Sequence, residues 1–94
     1  MATTADKELA RRALAILQSA CHSEPSIAVG AILPLRRPVG ITTLDDPPDR
    51  AEAWLAICRL HDALEKNLAT EVVESYWKDA IAQTEKWIDA IKGS

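Results

Sequence analysis

Residues 46–70 read DPPDRAEAWLAICRLHDALEKNLAT, and this stretch decides the fold class. Asp46 can cap a helix, Pro47 and Pro48 fit first-turn positions that have no helical acceptor to lose, and Asp49 sits near the positive end of the helix dipole. Ala53, Trp54, Ile57, Cys58, Leu60 and Leu64 then recur at helical spacing, and Asn67 suits the left-handed residue that ends many helices. A further helix begins almost at once, with Thr70 as its N-cap. Val73, Trp77, Ala80, Ile81, Thr84, Trp87, Ile88 and Ile91 line one side of it, while Glu74 and Lys78 form an i,i+4 pair on the other. The spacing predicts helices over about 47–66 and 70–92, and the short connection makes them an antiparallel hairpin.

Working outward, residues 4–22 read as the first helix. Thr3 and Asp6 approximate a capping box, and Leu9, Ala13, Ile16, Leu17 and Ala20 repeat at helical spacing. Ser23-Glu24-Pro25 ends it, because proline disfavours the α conformation in the residue before it. Residues 24–46 read as irregular or as one short helix. The apolar run Ile27 to Leu33 fits a short buried helix or a strand, and periodicity does not separate the two over so short a run. Pro34, Pro38 and Gly40 then predict a loop over 34–46, with Val39 to Leu44 extended.

The whole chain agrees with this reading. It has 94 residues, room for one domain. Hydrophobic residues make up 48% and charged residues 27%, the balance of a globular protein rather than a disordered tail. Sixteen alanines and ten leucines, against four valines and no phenylalanine, favour helices over sheet. The fold expected is all-α: a small bundle of three main helices with a proline-bounded middle segment, forming a single domain over 1–94. The longest apolar run is far short of the ~20 residues that span a bilayer. The N-terminus carries charges where a signal peptide needs apolar residues, and two cysteines make no disulfide framework. A cytoplasmic protein without membrane contact is the expectation. The net charge of −3 argues against nucleic acid as a partner.

Five constellations bear on function. Cys21, Cys58 and His61, with His22, are the chain's cysteines and histidines, and two thiols with two imidazoles suit zinc. Cys58 and His61 share a helix face, but Cys21 and His22 diverge by about 100°, so small core residues and an interior histidine are the plainer account. Asp45-Asp46-Pro47-Pro48-Asp49 spells the DDxxD string with which some all-α prenyl-transferring enzymes hold magnesium. Here two prolines interrupt it, and capping explains the acids. Glu71, Glu74, Glu85 and Asp89 form a solvated face of the last helix, without a matching pair on the helix before it. Arg36 and Arg37, on a proline-stiffened loop, offer planar forks to an anion or an acidic partner. Finally, Tyr76, Trp77, Ile81 and Ile88 flank the last helix, which is apolar around nearly half its circumference.

A single neighbouring helix does not cover such a surface, and a two-fold dimer is the commonest way to bury one. The sequence therefore points to a non-catalytic protein–protein interaction module: a homodimer, or a small accessory or regulatory subunit. The expected interface is Trp77, Ile81, Ile88 and Tyr76, and no cofactor is implied. The alternative is a small all-α enzyme or a metal- or ligand-binding protein that uses the helix carboxylates or the Cys58/His61 pair.

Overall fold

A computed structural model describes residues 4–40 and 47–92 of the chain. All four elements it contains are helices: α1 (Thr4–Ala20), α2 (Pro25–Gly40), α3 (Pro48–Glu65) and α4 (Thr70–Lys92). Asp45 and Asp46 of the DDxxD string, and residues 41–44 of the stretch expected to be extended, lie outside the described residues. No helix among the described residues is long and apolar enough to cross a membrane.

The middle segment departs most from expectation. In place of a short helix and a loop, α2 is one continuous helix of 16 residues with Pro34 and Pro38 inside it. Each proline deletes one i→i−4 bond and crowds the carbonyl four residues back. For Pro34 that residue is Gly30, which has no side chain; for Pro38 it is Pro34. Gly30 and Pro34 are exposed, so the carbonyls freed of their helical donors lie on the outer side of the helix. The inner side is intact: Ala28, Ile32, Leu35 and Val39, spaced four, three and four apart, are all buried. Burying that row outweighs the two lost bonds. The helix starts as its sequence directs, with the Glu24 carbonyl accepting from the amides of Ile27 and Ala28, and Pro25 in the first helical position.

The other helices differ from the reading by one or two residues at their ends. α1 stops at Ala20, which leaves Cys21 and His22 in the turn that follows. Pro47 caps α3 through its carbonyl, with Pro48 and Asp49 in the first turn. Asn67 adopts φ 54°. The Leu68 amide bonds to the Ala63 carbonyl at 3.1 Å and the Asn67 amide to the Leu64 carbonyl at 3.2 Å, the paired closure of a Schellman motif. α4 follows at once, its first carbonyl acceptor supplied by Ala69 rather than Thr70.

Packing runs from α1 to α2, α2 to α3, α3 to α4 and α4 back to α1. Leu17, Ile32, Val39, Ile57, Leu60 and Trp87 are buried side chains at the centre. A cation is buried among them. Arg50, 4% exposed, donates from Nε to the Val39 carbonyl at 3.0 Å and from Nη2 to the Pro38 carbonyl at 2.7 Å. Its Nη1 lies 3.3 Å from Asp6 in the first turn of α1, and its guanidinium lies over the Trp87 ring, 5.5 Å from the centroid. One side chain of α3 thus touches all three other helices. It also caps the last turn of α2, where helix carbonyls have no partner of their own.

Candidate functional site

The polar cluster closest to a site lies where α2 crosses α3. His61 is 1% exposed, in the second half of α3. Arg36, from the last turns of α2, brings Nη1 to 3.0 Å from His61 Nδ1 and to 3.6 Å from an Asp62 carboxylate oxygen. A guanidinium only donates, so Nδ1 accepts and the ring proton is on Nε2. That nitrogen is buried without a hydrogen-bond partner, 3.6 Å from Glu65 Oε1 one turn further along α3. Asp62 and Glu65 are about half exposed, so the cluster has a buried imidazole floor and a carboxylate rim open to water. The Arg36 backbone is fixed separately, by the Trp54 indole donating to its carbonyl at 2.7 Å. Gly40 permits that bond, because a Cβ there would lie 2.6 Å from Trp54 Nε1.

The candidate residues of the sequence fall unevenly around this cluster. Arg36 belongs to it, whereas Arg37 is exposed on the outer side of α2. Cys58 is buried one turn before His61, and Cys21 donates to the Gln18 carbonyl at its own helix end. Among the described residues the structure does not gather Cys21, Cys58 and His61. The group whose ligand atoms come together is His61, Asp62 and Glu65, within 4.8 Å of one another. Asp62 and Glu65 are not among the sequence candidates, although the H-x-x-x-E spacing in HDALE places two donors on one helix face. Glu71, Glu74, Glu85 and Asp89 are exposed along α4.

Of the aromatic and aliphatic row on α4, Trp77 is buried and Tyr76, Ile81 and Ile88 are half-buried against the core. Because α1 and α3 both pack on α4, the stripe is covered more fully than one neighbouring helix would allow. The apolar side chains most open to water sit on α2 instead: Ile27 is 61% and Leu33 53% exposed. At 100° per residue, Ile27, Gly30, Leu33, Pro34 and Arg37 span an arc of about 120°. No ionisable side chain occurs from Pro25 to Leu35, and nothing lies within 4 Å of where a Gly30 side chain would be. The outer faces of α1, α3 and α4 carry charges throughout, so this face is chemically unlike the rest.

Surface grooves are open. One of about 300 Å³ between α1 and α4 has Ala10, Ile88 and Ile91 as its floor and Lys7, Arg11 and Lys92 at its rim. It does not include the His61 cluster. No family model, curated protein or solved structure matches the chain.

Proposed function

We propose that this protein is a protein–protein interaction module: an antiparallel helical bundle that self-associates through the outer face of α2. The observation that supports this is the face bearing Ile27 and Leu33, each more than half exposed, with open space over Gly30 between them and no ionisable side chain from Pro25 to Leu35. Large exposed apolar side chains gathered on one face commonly mark a binding surface. The occupant that fits is a second copy. With a two-fold axis opposite Gly30, antiparallel α2 helices bring each Ile27 against the second copy's Leu33. The same pairing sets each exposed Glu24 near the second copy's Arg37, so acidic and basic ends neutralise each other twice. Gly30, having no side chain, lets the two backbones approach at the crossing.

Light scattering and sedimentation at micromolar concentration test this reading. A dimer is expected for the wild type, and a monomer with unchanged helix content for Leu33→Glu. Arg37→Glu should weaken association, and Glu24→Arg in the same chain should restore it. A monomeric wild type refutes the reading. So does a dimer that survives Ile27→Glu and Leu33→Glu but is lost, with the fold intact, on Ile81→Glu and Ile88→Glu; that result assigns association to α4.

A further inference from the structure

We propose that His61, Asp62 and Glu65 form a binding site for one divalent first-row transition ion of the zinc type, and that binding of the ion at His61 Nε2 releases the Arg36 guanidinium from Nδ1 on the other side of the ring. Three observations carry this. The first is the donor set itself, one imidazole nitrogen and two carboxylates with their ligand atoms within 4.8 Å of one another. The second is the orphaned nitrogen: His61 Nε2 is buried, has no hydrogen-bond partner and faces Glu65. A buried polar atom in that state costs free energy that a ligand would return. The third is Arg36, which lies 3.0 Å from Nδ1 and 3.6 Å from Asp62, so the cation already in the cluster leaves Nε2 and Glu65 unclaimed.

The geometry suits a metal. Two ligands each about 2.1 Å from a zinc-like ion at the tetrahedral angle stand about 3.4 Å apart. His61 Nε2 and Glu65 Oε1 are 3.6 Å apart before any adjustment. His61 and Glu65 are four residues apart on α3, so the helix itself sets their spacing, and half-exposed Asp62, 3.6 Å from Arg36, turns its carboxylate toward the ion only as that guanidinium leaves. Imidazole among the ligands selects zinc, cobalt or nickel over magnesium and calcium, which take oxygen. Water completes the coordination from the open side.

Binding has a defined proton and charge balance. The ion takes the Nε2 lone pair, and the single ring proton moves to Nδ1. That nitrogen then no longer accepts from Arg36, so the guanidinium must withdraw. The Trp54 bond to the Arg36 carbonyl uses the Arg36 backbone only and is untouched by this movement. Ion and guanidinium therefore exclude one another, and the exchange loosens a polar tie between α2 and α3.

The experiment is a cobalt(II) titration of chelator-treated full-length protein, read by visible absorption, with zinc displacement to follow. One saturable ion per chain is expected for the wild type. Glu65→Gln should weaken binding about tenfold or more. Arg36→Met should tighten it about tenfold, because a cation close to the ion is gone. His61→Asn should abolish it. Should that buried substitution unfold the protein, judged by circular dichroism, Glu65→Gln at an exposed position and Arg36→Met at a half-buried one carry the test alone. No saturable binding, binding unchanged by Glu65→Gln, or binding weakened by Arg36→Met each overturns the proposal.

Discussion

Replacing Arg50 by methionine should destabilise the protein far more than neutralising the carboxylate it pairs with. Methionine keeps an unbranched apolar stem and removes the guanidinium, so the loss is in its polar contacts and in its place over the Trp87 ring. Two of these are bonds to the Val39 and Pro38 carbonyls, at 3.0 and 2.7 Å, in the last turn of α2. A bond from a charged donor contributes about 1.5–3 kcal/mol net, so the pair is worth about 3–6 kcal/mol. Asp6 lies 3.3 Å away and is about one-quarter exposed, so Asp6→Asn should cost about 1 kcal/mol. In a domain of this length each kcal/mol lowers Tm by about 4–8 °C, so Arg50→Met should lower it by at least about 12 °C. Urea unfolding followed by circular dichroism and tryptophan fluorescence gives both free energies. An Arg50→Met variant within about 0.5 kcal/mol of wild type, the range of an ordinary surface change, would refute the role given to the guanidinium. So would an Asp6→Asn cost equal to that of Arg50→Met, because the ion pair and not the helix cap would then dominate.

Three other substitutions follow from single contacts. Gly40→Ala drives a Cβ to 2.6 Å from the Trp54 indole nitrogen, so it should cost about 1–3 kcal/mol in chemical denaturation, and much less in a Trp54→Phe background. Asn67→Gly should leave stability level or raise it by a few tenths of a kcal/mol, whereas Asn67→Val should lower Tm, the φ of 54° being unfavourable for a β-branched residue. Thr84→Val removes a buried hydroxyl that bonds to the Ala80 carbonyl at 2.8 Å. That carbonyl keeps its own helical donor, so the calorimetric cost should stay below about 1 kcal/mol.

α1, α3 and α4 are legible in the sequence because periodicity, caps and stops agree: Pro47 and Pro48 open α3, Asn67 closes it, and Leu17 and Ile57 fall on faces that are buried. α2 is not, because two rules conflict there. Ala28, Ile32, Leu35 and Val39 already make a helical row, but Pro34 and Pro38 read as breakers. Tertiary structure decides between them: both prolines fall outside the buried row, and side chains from α3 serve the end of the helix. The His61 cluster is half legible. Its i,i+4 pair is written in HDALE, whereas Arg36 comes from 25 positions away and arrives only through the packing of α2 on α3. Arg50 gives no signal, since a first-turn arginine reads as a surface residue until its neighbours are known.

The ties on α2 are unevenly placed, and that yields a last prediction. Polar contacts from α3 reach Arg36, Pro38 and Val39, all near its C-terminal end, while Ser26 to Leu33 is held by apolar packing alone among the contacts described. With two of its own hydrogen bonds deleted by proline, α2 depends on α3 for helical order more than any other element. Arg50→Met should therefore loosen α2 before the rest of the chain. Hydrogen exchange well below the Tm of the variant should accelerate about tenfold or more at the amides of Leu35, Arg36, Arg37, Val39 and Gly40, for a local loss of about 1.4 kcal/mol or more. α4 should change far less. Since the proposed contact between copies uses the outer face of the same helix, dimer association should weaken in parallel, although Arg50 itself is buried and away from that face. Uniform acceleration across α2 and α4 would show that the four helices open as one unit, and the dependence of α2 on Arg50 would then be wrong.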